Sequence, residues 1–195
     1  MIPRHLVIGI GVILVAVFAM GIYAGRMRGR VAQTSSAADA RPVAPPPSGP
    51  TEQITLYVAY DEPGILRAEA ARIPLPSARQ QRAEELLRAL LEIYLAKDSP
   101  HPLAPGADVR AVYLVDPGLA VIDVNTPFAN GHRSGVLEEE LTVTSMIQTL
   151  NANIPGILRV KILVDGKDRD TLAGHADLSD FYDTEAVSQV VGQME

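Results

Sequence analysis

Alternating and clustered apolar positions predict four main strands in the later part of the chain. β-Branched or aromatic residues recur in each run, and Gly, Pro or Asp residues lie at or near its ends. The predicted strands cover residues 54–60, 109–115, 119–124 and 157–164. Asp116-Pro117-Gly118 separates the middle two strands and predicts a tight hairpin turn. The prolines at 63, 74 and 76 instead predict an irregular segment over 61–76.

Apolar residues spaced three and four apart predict two amphipathic helices. The first covers 78–96 with Ser77 as its N-cap. The second covers 136–153 with Ser134 as its cap, and three glutamates lie in its first turn, where the helix dipole favours anions. The glutamates are Glu138, Glu139 and Glu140. The apolar face of the first helix is predicted at 83, 86, 87, 90, 91 and 94, and that of the second at Leu137, Leu141, Ile147, Leu150 and Ile154.

The order of these elements, β-α-β-β-α-β followed by a short strand, predicts an α+β domain. Two helices and four to five strands fit one antiparallel or mixed sheet that carries both helices on one face. We expect this domain over 53–180, followed by a C-terminal tail over 181–195 that forms a frayed helix. A domain of this length, roughly 130 residues, is large enough for one hydrophobic core.

The N-terminal part has a different pattern, an uncharged apolar run. Residues 6–24 read LVIGIGVILVAVFAMGIYA, and a helix of about 20 apolar residues crosses a bilayer core. We therefore expect a short flank over 1–5 and an uncleaved transmembrane helix over 6–24 that anchors the chain in the cytoplasmic membrane. The rival interpretation is a signal peptide cleaved after Val17-Phe18-Ala19.

The segment 25–52 predicts a linker between this span and the domain. It is rich in Ser, Ala and Pro and has few large apolar residues, so it cannot bury enough surface to fold. Pro45-Pro46-Pro47 favours an extended, semi-stiff chain. The sequence contains no cysteine, which excludes both a disulfide framework and lipid attachment through a cysteine.

Charge separates the two parts further. Residues 51–195 hold 22 of the 23 Asp and Glu residues and 12 of the 17 Lys and Arg residues, a net charge of −10. A domain this acidic lacks the basic surface that nucleic acids require, so we expect no nucleic-acid partner. Arg26, Arg28 and Arg30 follow the span directly and, by the positive-inside rule, favour a cytoplasmic location for the C-terminal part.

The four histidines do not form a metal-binding spacing. His5 flanks the span, His101 lies between two prolines, His132 lies in a glycine loop and His175 follows Gly174. The sequence has no HxxxH or similar pair, so we expect neither a metal ion nor a cofactor.

The most informative run is 160–179, VKILVDGKDRDTLAGHADLS, where a strand meets a turn and a group of charges. Asp165-Gly166 predicts the turn. Two acidic triplets lie in or after this run, and neither has the spacing of an EF-hand calcium loop. The first predicts a solvated turn and the second at most a weak cation site. The triplets are Asp165, Asp168 and Asp170, and Asp177, Asp180 and Asp183.

No motif for a catalytic nucleophile is present. Ser134, Ser145 and Ser179 lie outside any GxSxG elbow, and the domain has no phosphate-binding glycine loop. A carboxylate pair for glycoside cleavage stays open as an alternative, with Asp123 on a strand and Glu138 to Glu140 at a helix start. The residues therefore predict a protein that is not an enzyme, with no assigned catalytic residue and with His175 as a structural hydrogen-bonding residue.

Several short segments are common individually and distinctive in their order. They are Leu56-Tyr57, Leu86-Leu87-x-x-Leu90-Leu91, Pro105-Gly106, residues 116–124 with Phe128, Thr149-Leu150, residues 160–166, Leu172-x-Gly174-His175 and Asp177-Leu178-Ser179. In this order they resemble the GerMN family of sporulation and spore germination domains over nearly the whole domain. The chain departs from the family at Asp98-Ser99-Pro100, where many relatives have Gly-Pro.

The resemblance implies an extracytoplasmic, envelope-associated module without a known catalytic role. It places the domain outside the cytoplasmic membrane, in the periplasm, against the arginine count. The expected function is interaction with envelope proteins or the cell wall during bacterial envelope assembly or remodelling, with a homo-oligomer as a further option. The alternative is an envelope hydrolase or small-ligand sensor that uses His175 and the nearby aspartates.

Overall fold

The computed structural model describes residues 50–75 and 78–194. The predicted span 6–24, most of the predicted linker 25–52 and the predicted cap Ser77 lie outside these ranges. Among the described residues, no helix combines the length and the apolar character needed to cross a bilayer. In chain order the elements are β1 (Thr51–Tyr60), β2 (Ile65–Pro74), α1 (Arg79–Tyr94), β3 (Val109–Val115), β4 (Leu119–Val124), α2 (Thr126–Asn130), α3 (Val136–Asn153), β5 (Arg159–Val164), β6 (Tyr182–Asp183) and α4 (Thr184–Met194).

The α+β class is confirmed, and most predicted elements have nearly the predicted bounds. β3, β4 and α3 begin and end where the pattern places them. The six positions predicted as the apolar face of α1 are its six buried residues, because spacing of three and four turns them toward one side. The short helix α2 was not predicted. Asn125 caps it by accepting a hydrogen bond from the Phe128 N–H at 2.9 Å.

The prediction of a single sheet is wrong, because the segment predicted as irregular contains β2. β2 pairs antiparallel with β1 from Thr51 opposite Pro74 to Tyr60 opposite Ile65. These two strands form a separate two-stranded sheet. Two of the prolines that suggested irregularity lie at the ends of the strand: Pro63 precedes β2 in the turn and Pro74 is its last residue. Neither position removes a hydrogen bond from the middle of the ladder.

The second sheet is mixed, with the strand order β3-β4-β5-β6. β3 and β4 form the predicted antiparallel hairpin, β4 and β5 are parallel, and β5 and β6 are antiparallel. α2 and α3 lie in the crossover between the two parallel strands. The turn between β3 and β4 requires glycine, since Gly118 has a φ of +78° and a Cβ there would lie 2.9 Å from the Gly156 carbonyl oxygen.

α3 is enclosed on several sides, since it contacts β1, α1 and α4. Leu141, Ile147, Leu150 and Ile154 are buried as predicted, whereas Leu137 is exposed and does not belong to the buried face. The side of α3 that a simple amphipathic pattern would turn to solvent is therefore partly covered by other elements.

Covering α3 on several sides also buries polar side chains. Glu139, Thr142 and Thr149 are fully buried on this helix. The predicted cap Ser134 is wrong: Gly135 is the N-cap residue, without a side-chain hydrogen bond. Buried polar groups need hydrogen-bond partners, and those of α3 have them both on the preceding turn of the helix and on other segments.

The segment 181–195, predicted as a tail with a frayed helix, contains β6 and α4. α4 packs against α3 and buries Val187 and Val191. Asp183 caps the helix, because its carboxylate accepts hydrogen bonds from the N–H groups of Glu185 and Ala186, both at 3.0 Å.

Candidate functional site

Glu139 is a buried carboxylate in the first turn of α3 that holds a later segment, the closing loop of residues 171–179. Its Oε2 accepts hydrogen bonds from the backbone N–H groups of Ala173, His175 and Ala176 at 2.9, 3.0 and 3.0 Å. Its Oε1 lies 3.0 Å from His175 Nδ1 and accepts from the Gly135 N–H at 3.3 Å. One side chain thus fixes the path of the closing loop.

The pKa of Glu139 shows which effect dominates at this position. Burial by itself raises the pKa of the carboxyl, but the hydrogen bonds from the His175 side chain and from three backbone N–H groups outweigh it and lower the pKa to about 2. A general acid or base needs a pKa near the working pH. Glu139 therefore has the electrostatics of a structural anion, not those of a proton-transfer group.

Lys161 fastens the other end of the closing loop to β5. Its buried ammonium group donates to the carbonyl oxygens of Leu178 at 2.8 Å and Ser179 at 2.6 Å. It also lies 3.0 Å from the Asp168 carboxylate. The closing loop is therefore held by an anion at one end and by a cation at the other, and both belong to elements of the core.

His175, the histidine that the sequence analysis singled out, is half-exposed beside Glu139. Its Nδ1 lies 3.0 Å from Glu139 Oε1 and 3.4 Å from the Ser134 hydroxyl oxygen. A nitrogen that donates its proton to Glu139 cannot take a proton from Ser134. This geometry favours a structural hydrogen-bonding role for His175 over a role as the base of a serine nucleophile.

Two other histidines meet at one buried hydroxyl group. The Nε2 atoms of His101 and His132 lie 2.5 and 2.6 Å from Thr142 Oγ1. The Nδ1 of His101 donates to Asp61 Oδ1 at 2.6 Å, and the Nδ1 of His132 donates to the Arg133 carbonyl at 2.7 Å. The Arg133 guanidinium also forms an ion pair with Asp61. We call these five residues the histidine network.

Within this network Asp61, His101 and Thr142 have the order of a carboxylate, imidazole and hydroxyl triad, which can activate a nucleophile. Thr142 is fully buried, however, so a substrate has no access to its oxygen. The network instead joins the end of β1, the loop after α1, the loop before α3 and α3 itself. We interpret it as a connection between segments and not as a catalytic triad.

One hydroxyl proton cannot serve both imidazole rings. Because each Nδ1 donates, each Nε2 of a neutral ring is an acceptor, and Thr142 can donate to only one of them. An added proton would complete the row of hydrogen bonds. Burial opposes this proton and is the largest influence on both rings, so it lowers the pKa of His101 and of His132.

We expect the free energy of unfolding to fall as the pH drops below about 6.5, the ordinary pKa of histidine. Below this pH the two histidines of the unfolded chain bind protons. In the folded chain His101 and His132 bind protons only at a lower pH, because their pKa values are lowered. Stability is thus complete above this window and is lost as the pH falls through it. Pulse proteolysis of the full chain in urea, from pH 8 to pH 5, measures this loss.

The pH dependence of Glu139 does not overlap with that window. Its stabilising effect is complete above its ordinary pKa of 4.5 and is lost as the pH falls toward about 2.

The control for the histidine prediction is the variant His132→Asn. It removes one titrating ring and should flatten the dependence of the unfolding free energy on pH between pH 6.5 and 5. An urea midpoint that does not change between pH 8 and pH 5 would contradict the prediction.

The first acidic triplet is divided among separate partners. Asp165 forms an ion pair with Arg110 at 2.8 Å and accepts a hydrogen bond from Thr126. Asp168 pairs with Lys161, and Asp170 is exposed. These carboxylates thus lie in the turn after β5. Asp165 and Asp168 pair with two different cationic side chains.

The second triplet lies around β6. Asp177 accepts hydrogen bonds from the backbone and hydroxyl groups of Ser179 at 2.8 and 2.6 Å, Asp183 caps α4, and Asp180 is exposed. In residues 50–75 and 78–194, no three His, Asp or Glu side chains converge on a point that could hold a metal ion.

The remaining candidates are also part of the internal hydrogen bonding. Asp123 is buried and accepts a hydrogen bond from the Gly166 N–H at 2.7 Å, which fixes the predicted turn at Asp165-Gly166. Ser145 is buried in α3 and donates to the Thr142 carbonyl at 2.8 Å. The sequence analysis missed Asp61 and Thr142, since neither lies in a local motif that would indicate a partner some 40 residues away.

An apolar groove of about 440 Å³ lies beside His175, between α3, the closing loop and α4. Val136 and Phe181 on its walls are 64 % and 51 % exposed, so the groove presents apolar side chains to solvent. Carboxylates of Glu140, Asp177 and Asp183 also line it. Apolar walls with acidic groups suit a ligand or protein segment that is apolar and carries positive charge.

Comparison with solved structures identifies several similar chains, of which three are described. The first is a candidate lipoprotein from Clostridium perfringens, at 23 % identity over 75 % of this chain and 96 % of that chain, with a TM-score of 0.48. The second is the first GerMN domain of the sporulation protein GerM from Bacillus subtilis, at 19 % identity over 69 % of this chain and 98 % of that chain, with a TM-score of 0.48.

The third is the pair of tandem GerMN domains of the same Bacillus subtilis protein, at 20 % identity with a TM-score of 0.53. This match covers 70 % of the present chain and 48 % of the tandem chain, so it supports a shared fold over about half of that protein. A search of curated proteins returned no match.

The family model described as Germane, sporulation and spore germination, matches residues 55–170. This range begins within β1, includes every element from β2 to β5 and ends just before the closing loop. It covers more than half of the sequence, and it confirms the resemblance that the order of short motifs predicts. The chain therefore belongs to the Germane family of sporulation and spore germination domains.

Proposed function

We propose that this protein is a membrane-anchored, extracytoplasmic module without enzymatic activity, which binds envelope proteins or the cell wall during envelope assembly or remodelling. Membership in a sporulation and spore germination family supports an envelope role, and the apolar run at 6–24 would supply the anchor. The observation that carries the proposal is the apolar groove, which keeps Val136 and Phe181 exposed while Glu139 and Thr142 are buried in internal hydrogen bonds.

The groove suits a protein segment better than a glycan. Its apolar walls around Val136 and Phe181 offer surface that an apolar side chain can cover. The carboxylates of Glu140, Asp177 and Asp183 add negative charge to a domain that is already acidic. We therefore expect the occupant to be an extended or helical segment of an envelope protein with apolar side chains and flanking Lys or Arg residues.

A reporter fused to the C-terminus tests the location of the domain. Alkaline phosphatase matures only outside the cytoplasm, so the full chain fused to it should be active in intact cells. The matched fusion carries a fluorescent protein that matures only in the cytoplasm, and it should stay dark. The opposite pair of results would support the orientation that Arg26, Arg28 and Arg30 favour and would contradict the proposal.

A photo-crosslinking residue at Val136 of the full chain tests the groove in intact cells. We expect one discrete product that contains a second protein and weakens several-fold in the variant Glu140→Lys, because reversed charge repels a basic segment. The control places the same residue at Leu95, which is exposed in the loop after α1 and outside the groove. Equal products from both positions would contradict a binding groove, and a product that only a cell-wall hydrolase releases would identify the wall as the partner.

The rival function, a small-ligand sensor or hydrolase, has one observation in its favour: His175 and Asp177 both line the groove. The double variant His175→Ala with Asp177→Ala separates the two functions. The interaction module predicts that the crosslink from Val136 is weakened but still formed when the fold persists, because Glu140 and Asp183 remain in the groove. Loss of a ligand-dependent rise in the proteolysis midpoint, measured with soluble cell-wall fragments in a variant that still folds, would support the rival.

A further inference from the structure

The outer edge of β1 is closed by side chains from the helices. The backbone N–H groups of Thr55, Tyr57 and Ala59 point away from β2 and donate hydrogen bonds of 3.1, 3.0 and 2.9 Å. The acceptors are Asn153 and Thr149 of α3 and Tyr94 of α1. This edge cannot pair with another strand without losing those bonds.

The outer edge of β2 has no such cover. Ala70 and Ala68 lie opposite Thr55 and Tyr57. In an antiparallel ladder, two directly opposed residues point their backbone N–H and C=O groups either both inward, toward each other, or both outward. The backbone N–H and C=O groups of Ala70 and Ala68 therefore point outward, away from β1. Both are exposed, and in the part of the chain that the structure describes no group forms a hydrogen bond to these outward backbone atoms.

The other sheet offers no comparable edge within the described residues. β3 lies at one side of it, and its Val112 N–H donates to the Glu84 carboxylate of α1 at 3.5 Å. β6 lies at the other side and has two residues. β2 is ten residues long. A long edge with free backbone groups is the usual template for pairing with a strand of another chain.

Charge on β2 selects the partner and the register. Arg67 and Glu69 flank Ala68 on one face of the strand. Tyr60 holds both of them, because the Arg67 guanidinium lies 4.6 Å from its ring and Glu69 accepts a hydrogen bond from its hydroxyl at 2.6 Å. A second copy of β2, related by a two-fold axis at Ala68, would place each Arg67 opposite Glu69 of the other copy.

A neighbouring register is less favourable. A two-fold axis at Glu69 would place the two glutamates opposite each other, and like charges in that position are destabilising. We propose that β2 pairs antiparallel with β2 of a second copy of this chain, centred on Ala68, so that two hairpins form one continuous four-stranded sheet. This contact uses a different surface from the groove, so the two proposals can fail independently.

The absence of cysteine makes the test direct, since a single substitution introduces the only thiol. In the proposed register two copies of position 68 face each other at a Cα separation of about 5.5 Å, within the range for a disulfide. In full-length chain oxidised mildly in intact cells, Ala68→Cys should form a disulfide dimer at least five-fold more efficiently than Ala96→Cys, an exposed control in the loop after α1. The dimer yield of Ala70→Cys should lie between those of the other two variants, because position 70 faces Leu66 of the other copy and not a second thiol.

Exchanging the charges at positions 67 and 69 tests the register while the thiol stays at position 68. Added to Ala68→Cys, either Arg67→Glu or Glu69→Arg should reduce the dimer several-fold, because each creates like charges across the two-fold axis. The two changes together should restore it. Dimer equal to the Ala96→Cys control, Ala70→Cys above Ala68→Cys, no rescue by the double exchange, or a disulfide to a different protein would each overturn the proposal.

Discussion

Replacing Glu139 with glutamine should lower the free energy of unfolding by about 3 kcal/mol. The carboxyl has an ordinary pKa of 4.5 and a folded-state pKa of about 2, so the folded state stabilises the ionised form by that amount. Glutamine keeps the shape of the side chain but replaces one acceptor oxygen by an NH₂ group. That group would face the backbone donors of the closing loop or His175.

The matched control is Glu140→Gln, one residue further along the same helical turn. The Glu140 carboxylate forms no side-chain hydrogen bond among the described residues. We therefore expect Glu140→Gln to lower the free energy of unfolding by no more than about 0.5 kcal/mol. Pulse proteolysis in urea measures both variants. Hydrogen exchange adds a local readout, because the Ala173 and Ala176 amides should exchange faster in Glu139→Gln alone. Equal stability of the two variants would refute the anchoring role.

Local pattern was sufficient for the elements whose burial depends on their own residues. The buried face of α1 and the bounds of α3 follow from apolar spacing, and the hairpin of β3 and β4 follows from its turn. The failure to predict β2 also has a local reason. Its sequence, ILRAEAARIP, contains three alanines and ends in proline, so it lacks the β-branched alternation of a half-buried strand.

The candidate site was less predictable because its geometry depends on distant segments. Glu139 looked like one of three glutamates that favour a helix N-terminus, and nothing local distinguishes it from Glu138 and Glu140. Its role appears only when the closing loop, more than 30 residues later, places three N–H groups around it. Sequence pattern predicted that His175 is structural but not the partner that makes it so.

The histidine network shows the same limit from another side. His101 and His132 looked like unrelated loop histidines, and the enclosure of α3 brings both to Thr142. A buried hydroxyl in mid-helix is normally paired with the preceding turn of its own helix. The Glu138 carbonyl lies 3.0 Å from the Thr142 hydroxyl and competes with the two imidazole nitrogens for its one proton, so a neighbouring threonine that bonds only the helix backbone is the matched comparison.

Replacing Thr142 with valine should therefore lower the free energy of unfolding by about 2 kcal/mol, the cost of leaving a buried imidazole nitrogen without its donor. Thr144→Val is the matched control. Thr144 is also buried in α3 and bonds the Glu140 carbonyl at 2.6 Å, but it has no imidazole partner among the described residues. Both variants lose a buried hydroxyl group of α3, so the difference between their urea midpoints reports the imidazole contacts that Thr142 makes. Equal midpoints would mean that the histidine network positions its segments without stabilising the fold.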